Sequence, residues 1–187
     1  MHLEIEAKIK VENLDPYAQR LKLLGLHLHR QYIQRDYFFD RPDRTLTNAD
    51  CGLRLRIQAD DKNQQIMLCH KGPRAADASF KRRPEIEFTV DDLNAARELI
   101  EALGYELTIA FEKRRFQWLL DECSVCLDEV IEIGYFIEIE GPSDDAVAHA
   151  LAQLQLADQP HITQSYAALL AQHLEITHRP QTVELFF

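Results

Sequence analysis

Hydrophobic and charged residues alternate strictly at the start of the chain. Leu3, Ile5, Ala7 and Ile9 fall on one face of an extended segment, and the residues between them are charged. A period of two predicts a β-strand with one apolar face and one charged face. Similar patterns predict further strands at residues 31–39, 52–58, 65–71, 83–90, 111–119, 125–130 and 135–140.

Four other segments have the pattern of helices. Asp15-Pro16 is typical of a helix start and Gly25 of a helix stop, and Gly104 ends a second helix in the same way. The predicted helices cover residues 14–24, 91–103, 143–156 and 163–174. Many short strands with helices between them are compatible with either an open antiparallel sheet or a closed barrel.

The charged faces of the predicted strands carry equal numbers of acids and bases. The acids are Glu4, Glu6, Glu85, Glu87, Asp128, Glu138 and Glu140. The bases are Lys8, Arg54, Arg56, Lys71, Arg83, Lys113 and Arg115. One charged strand face alone is usually exposed to solvent, but here ionised residues recur on nearly every strand. We therefore predict an α+β fold: a closed, antiparallel, eight-stranded β-barrel whose lumen is charged, with helices packed outside.

A charged lumen is stable only if its charges are paired or a ligand fills it, because unpaired buried charge is costly. An eight-stranded barrel leaves room for about one small ligand. Arginine and lysine bind phosphate oxygens, whereas carboxylates bind Mg²⁺ or Mn²⁺, which in turn bridge phosphate oxygens. The combination predicts a site for a metal-bound polyphosphate.

Length, charge and apolar content indicate which classes of protein fit this sequence. The 187 residues suit one domain, with a core at about residues 1–174 and a tail at 175–187. The formal net charge of -10 argues against a broad nucleic-acid surface but permits an anion in a local basic pocket. No apolar run approaches the ~20 residues of a transmembrane helix, and the N-terminus has no signal-peptide core. We expect a cytoplasmic protein that binds neither nucleic acid nor membrane.

Other motifs do not indicate a different chemistry. Cys123 and Cys126 form a lone CxxC in a strand-like segment, without the second pair that a structural zinc site needs. We predict that they are reduced packing residues. His27 and His29 lack the third ligand of a catalytic zinc site. The P-loop and dinucleotide-binding fingerprints are absent from the sequence.

The order of the charged motifs resembles the CYTH, or triphosphate tunnel metalloenzyme, superfamily. Its ExExK motif on the first strand is matched by Glu4-Ile5-Glu6-Ala7-Lys8. The later matches are Leu53-Arg54-Leu55-Arg56, Lys71-Gly72-Pro73, Arg83-Pro84-Glu85-Ile86-Glu87, Glu112-Lys113-Arg114-Arg115, Leu127-Asp128-Glu129-Val130 and Phe136-Ile137-Glu138-Ile139-Glu140. Thr163-Gln164-Ser165-Tyr166 is similar to the class IV adenylyl cyclase branch. One departure is Cys69, where the family often has a threonine hydroxyl.

The resemblance implies a role for each charged residue. The metal ligands for Mg²⁺ or Mn²⁺ would be Glu4, Glu6, Asp128, Glu138 and Glu140. The triphosphate would be bound by Lys8, Arg54, Arg56, Lys71, Arg83, Lys113 and Arg115. Lys71, Lys113 and Asp128 would take part in catalysis, and Asp128 would either complete a second metal site or position the nucleophile. Glu85 and Glu87 would bind metal or orient the basic residues.

The resemblance leaves two reactions open. In a cyclase, the 3′-hydroxyl of ATP attacks the α-phosphorus and pyrophosphate leaves. In a triphosphatase, water attacks the γ-phosphorus of tripolyphosphate, thiamine triphosphate or a nucleotide; both are in-line displacements. Similarity to the cyclase branch favours the first reaction and implies a homodimer. A non-catalytic nucleotide or polyphosphate sensor is a third reading, which the full set of carboxylates disfavours.

Overall fold

The structure is a computed structural model that describes residues 2–76, 79–178 and 184–187. These ranges form nine strands and five helices. The strands are β1 (His2–Val11), β2 (Arg30–Asp40), β3 (Gly52–Ala59), β4 (Gln64–Lys71), β5 (Lys81–Val90), β6 (Glu106–Leu120), β7 (Cys123–Val130), β8 (Gly134–Glu140) and β9 (Glu184–Leu185). The helices are α1 (Asp15–Leu23), α2 (Thr45–Asn48), α3 (Leu93–Ala102), α4 (Asp144–Gln153) and α5 (Tyr166–Ile176).

Eight of the strands close into an antiparallel barrel. Their order is β2-β3-β4-β5-β1-β8-β7-β6, and β6 pairs back with β2, which completes the circle. The predicted closed eight-stranded barrel is therefore confirmed, and the open sheet is excluded. The short strand β9 adds a parallel pairing to β6 at Ala110 and Phe111.

The alternation on each strand separates the charged lumen from an apolar outer layer. On β1, Ile5 and Ile9 join a hydrophobic core that includes Val147 and Leu151 of α4. On the opposite face of the same strand, Lys8 is only 2% exposed and points into the lumen. Helix α3 covers β3, and α5 packs against β6. The helices thus bury the outer faces of the strands, and the charged faces point at one another.

The sequence patterns missed two elements and misplaced several boundaries. Helix α2 lies where we predicted only a turn, and the buried carboxylate of Asp40 organises it by accepting hydrogen bonds from Leu46 N and Thr47 N, both at 2.9 Å. Strand β9 is too short to produce a periodic pattern. Strand β6 begins at Glu106 rather than at residue 111, because its pairing with β2 extends that far.

Helix α5 is placed differently from the other helices, because it crosses one end of the lumen. Ala167, Ala168 and Ala171 of α5 line the cavity inside the barrel. Its first residue, Tyr166, is 5% exposed.

The free cysteines Cys123 and Cys126 are buried, as predicted. No helix in the described ranges is long and apolar enough to cross a membrane.

Candidate active site

The barrel lumen contains a cavity of about 900 Å³. Its lining includes every residue that the sequence predicted for the site except Asp128. Apolar side chains of Phe38, Ile109 and Phe111 also line the cavity, and the rings of Phe38 and Phe111 stack with centroids 6.0 Å apart. The closed barrel therefore brings together thirteen of the fourteen charged residues that the sequence predicted for the site.

A buried ion pair between β2 and β3 fixes one arginine of the lumen. Arg56 donates from Nε to Asp36 Oδ1 at 2.5 Å and from Nη2 to Asp36 Oδ2 at 2.7 Å. Burial alone would raise the pKa of Asp36, but the charge and hydrogen bonds of Arg56 outweigh it and hold that pKa far below its usual range. Sequence reasoning missed Asp36, although it lies in a predicted strand directly opposite Arg56.

A second buried carboxylate, Asp128, is surrounded by donors. Arg115 donates to its two oxygens at 2.7 and 2.5 Å, and Lys113 Nζ lies 3.4 Å from Oδ2. Tyr166 donates its hydroxyl to the same oxygen at 3.0 Å. The side chain of Asp128 is fully buried and does not line the cavity, although Arg115 Nη2 contacts both Asp128 and the predicted metal ligand Glu138. Its position favours the orientation of Arg115 and Lys113 over metal binding.

The pKa of Lys113 is lower than that of an ordinary lysine. Burial and the neighbouring charge of Arg115 lower its pKa to about 8, although Asp128 acts in the opposite direction. Lys113 and Lys8 lie on the ring of Tyr166, with Nζ atoms 4.7 and 4.5 Å from its centroid. Such cation–π contacts stabilise desolvated ammonium groups. Tyr166 therefore positions two predicted triphosphate ligands at the end of the lumen that α5 closes.

Three carboxylates gather on the opposite side, where β1 lies between β5 and β8. Glu6 stands directly opposite Glu140 in the β1–β8 ladder, and Glu4 lies two residues away on the same face of β1. Burial, followed by the charges of Glu4 and Glu6, raises the pKa of Glu140 to about 7. Glu4 Oε2 is buried and accepts no hydrogen bond from the described residues. An orphaned carboxylate oxygen within an acidic cluster fits a hard divalent cation such as Mg²⁺ or Mn²⁺.

A lysine that the sequence analysis missed, Lys81, contacts two carboxylates of this cluster. Lys81 Nζ lies 2.6 Å from Glu6 Oε1 and 3.6 Å from Glu4 Oε2. Within the part of the chain that the structure describes, no group of three or more His, Cys, Asp or Glu side chains is arranged to hold a metal ion. We predicted that the strand begins at Arg83, whereas β5 begins at Lys81. Extending the alternation by one period would have placed Lys81 in the lumen.

Glu138 connects the two sides of the lumen. It forms ion pairs with Lys8, at 3.2 Å, and with Arg115. Burial would raise its pKa, but the charges of Lys8 and Arg115 hold that pKa well below the usual range. Glu138 is therefore ionised, and two cations already satisfy it.

The predicted supporting residues hold basic side chains in place. Glu85 pairs with Lys71, and Glu87 accepts a hydrogen bond from Arg54 at 2.9 Å. The predicted triphosphate ligand Arg83 donates to the backbone oxygens of Gly72 and Asp50. The hydrogen bonds of its guanidinium therefore connect two loops at the rim of the cavity.

Comparison with known sequences identifies relatives that match most of the chain. The sequence profile of the CYTH domain matches residues 2–166. Adenylate cyclase CyaB of Aeromonas hydrophila is 26% identical over 156 residues, which are 83% of this chain and 77% of CyaB. MJ0240 of Methanocaldococcus jannaschii, whose name assigns it provisionally to the adenylate cyclases, is 28% identical over 143 residues, which are 76% of this chain and 79% of MJ0240.

Solved structures share the same barrel. PH1819 of Pyrococcus horikoshii OT3 superposes with a TM-score of 0.78 at 27% identity and covers 91% of this chain and 99% of its own. HpAC1 of Hippeastrum, a provisionally named adenylyl cyclase described as having a dominant triphosphatase activity, has a TM-score of 0.70 at 18% identity. The match covers 91% of this chain and 96% of HpAC1. At this identity the likeness to HpAC1 supports the fold alone.

Proposed function

Because this chain belongs to the CYTH domain family, we propose that it is a divalent-metal-dependent enzyme whose substrate is a triphosphate bound in the barrel lumen. The observation that carries this proposal is the composition of a single cavity. Guanidinium and ammonium groups suited to phosphate oxygens line it together with carboxylates suited to a divalent cation. The homodimer and the cytoplasmic location stay predictions from the sequence.

The reaction we propose is the cyclisation of ATP to cyclic AMP and pyrophosphate. Two curated relatives carry adenylate cyclase names. The cavity of about 900 Å³ lies in the range of sites for drug-sized ligands, about 300 to 1,000 Å³. Its apolar lining at Phe38, Ile109 and Phe111 offers space for a nucleoside beside the charged lumen. The alternative is hydrolysis of a triphosphate, the activity described for HpAC1.

The basic side of the lumen would bind and orient the triphosphate. Arg56 and Arg115 are already held by Asp36 and Asp128, so little reorganisation is needed when they meet phosphate oxygens. Lys71 and Lys113 would oppose the negative charge that develops on the leaving group. In the cyclase reaction a bond forms between the 3′ oxygen and the α-phosphorus. The bond from that phosphorus to pyrophosphate breaks, and the hydroxyl proton is released.

The acidic side would supply the metal ligands. Glu4, Glu6, Glu138 and Glu140 would hold Mg²⁺ or Mn²⁺, which when bound neutralises charge on the phosphate oxygens. Of these four, Glu4 and Glu140 are the best candidates for metal ligands, since Glu138 already forms ion pairs with two cations. Asp128 would orient Arg115 and Lys113 rather than join the metal ligands.

The test is to incubate the purified protein with ATP, and separately with tripolyphosphate, in the presence of Mg²⁺ or Mn²⁺. Chromatography resolves the products. Cyclic AMP together with pyrophosphate supports the cyclase reaction. Orthophosphate from tripolyphosphate without cyclic AMP supports the triphosphatase reaction instead.

A matched pair of variants tests the metal ligands in the same assay. Glu6→Gln removes one lumen carboxylate and is expected to lower turnover by at least roughly 100-fold. Glu106→Gln makes the same change at an exposed position at the start of β6 and should leave turnover unchanged. A fully active Glu6→Gln variant would contradict the metal assignment. Absence of turnover with either substrate would favour a non-catalytic sensor.

A further inference from the structure

Lys81 lies in one row with two carboxylates of the acidic side. In the barrel, Lys81 of β5 is directly opposite Glu6 of β1, and Glu6 is directly opposite Glu140 of β8. The side chain of Lys81 is 6% exposed. Neighbouring lumen positions on adjacent strands place side chains within reach of one another. The fold thus delivers an ammonium group into the acidic cluster from the adjacent strand.

The contacts of Lys81 are fewer than those of the other lysine near Glu6. Lys8 donates to the backbone oxygen of Gln164 at 2.9 Å and lies 3.2 Å from Glu138 and 3.5 Å from Glu6. Within the described ranges, the ammonium of Lys81 makes one hydrogen bond, to Glu6. An ammonium has three donors, so charge rather than a full set of hydrogen bonds retains Lys81. A group held in this way is displaceable.

The carboxylates around Lys81 outnumber the cations that satisfy them. Glu4 Oε2 has no hydrogen-bond partner among the described residues, and Lys81 lies 3.6 Å from it. The Glu140 side chain has no ion pair within the same ranges, although it faces Glu6 across the ladder. Like charges that face each other across a ladder are destabilising. Lys8 and Lys71 also lie 3.5 Å from Glu6 and Glu4, but each of these lysines pairs with a second carboxylate as well, so the cluster has capacity for more positive charge.

We propose that Lys81 is a built-in counter-cation for Glu4 and Glu6, and that a divalent cation binds this cluster only when the Lys81 ammonium moves off Glu6. The proposal rests on the metal requirement in the proposed function. A divalent cation bound to Glu6 Oε1 would lie at contact distance from the Lys81 ammonium, which is 2.6 Å from that oxygen, and the repulsion between the two would be strong in a poorly solvated lumen. Lys81 therefore stabilises the metal-free barrel and weakens its affinity for the metal.

The test compares wild type with Lys81→Met in two measurements that need no turnover. In a chelator, Lys81→Met should lower the melting temperature by roughly 5 to 10 °C, because Glu6 loses its nearest cation. In calorimetric titration with Mn²⁺ alone, the same variant should bind at least about tenfold more tightly, because the ammonium nearest to Glu6 no longer competes. Lys62→Met makes the same change at an exposed position and should alter neither quantity.

A second comparison covers the case in which Lys81→Met does not fold without metal. Glu4→Gln and the double variant Lys81→Met/Glu4→Gln differ only in Lys81, and the double variant removes one charge of each sign. The double variant should again bind Mn²⁺ more tightly than the single variant.

The outcomes separate this inference from the proposed function. Unchanged or weaker Mn²⁺ binding after removal of Lys81 overturns the inference. The metal assignment then still stands if wild type binds Mn²⁺ and Glu6→Gln does not. If wild type binds no Mn²⁺ at all, the inference and the metal assignment both fail.

Discussion

The two sides of the lumen hold their charges in different ways. On the side of β2, β3, β6 and β7, Asp36 and Asp128 each receive two hydrogen bonds from a single guanidinium, at 2.5 to 2.7 Å. On the side of β1, β5 and β8, Glu4 and Glu6 share lysine ammonium groups at 2.6 to 3.6 Å. Glu140, on this second side, has no ion pair within the described residues.

The difference follows from the geometry of the two cations. A guanidinium is planar and matches a carboxylate with two parallel hydrogen bonds, whereas an ammonium is a compact charge on a flexible stem. The arginine side is therefore fixed before any ligand arrives. The lysine side retains carboxylate oxygens that are not fully satisfied. One lumen thus combines a preformed anion-binding surface with an acidic cluster that can accept a further cation.

The largest expected effect comes from breaking a guanidinium pair. Asp128→Asn removes the charge of the carboxylate that accepts two hydrogen bonds from the buried Arg115, and we expect the free energy of unfolding to fall by about 3 to 5 kcal/mol. Urea denaturation measures this loss.

The neighbouring residue on β7 is the control. Glu129 pairs with Arg114 at 3.1 Å on the opposite face of the strand, where the arginine is 43% exposed. Glu129→Gln should cost less than about 1 kcal/mol. Equal losses in the two variants would show that the lumen pair is no more important than a surface pair.

The sequence predicted the strands and the faces that meet in the lumen, because alternation is a local signal. It predicted closure of the barrel as well, since acids and bases on separate strands balance only if those strands face one another. The sequence did not predict which acid pairs with which base. Asp36 meets Arg56, and Lys81 meets Glu6, through the register between strands, and register is set by the whole barrel. Asp128 is fully buried beside Arg115 and Lys113 and does not line the cavity, and only the structure shows these contacts.

A smaller effect is expected on the lysine side, and it depends on pH. The pKa of Glu140 is raised to about 7 in the folded protein, above its unfolded value of about 4.3. Its contribution to stability is therefore complete below about pH 4.3 and is lost as the pH rises through about 7. The full pKa shift corresponds to about 4 kcal/mol, but Glu140 is only partly buried and solvent screens its charge, so in a chelator at pH 8 the neutral variant Glu140→Gln should be more stable than wild type by about 2 kcal/mol.

Thermal or urea unfolding of both proteins across this pH range isolates Glu140, because the other titrating groups are common to the two. The stability difference should shrink as the pH falls and disappear near pH 4. A variant that is less stable than wild type at pH 8 would mean that the Glu140 carboxylate is well compensated, and the contrast between the two sides would be lost.

The smallest effect separates pair geometry from burial. Arg74 and Asp50, at the rim of the cavity, form a guanidinium–carboxylate pair at 2.9 Å, but their side chains are 36% and 40% exposed. Arg74→Ala should lower the free energy of unfolding by less than about 1 kcal/mol, and the loss should vanish in about 1 M salt, which screens exposed charges. Urea denaturation at low and high salt measures both quantities. A salt-independent loss as large as that of Asp128→Asn would mean that guanidinium geometry alone stabilises the lumen pairs. A small, screened loss would leave burial as the property that makes the arginine side rigid.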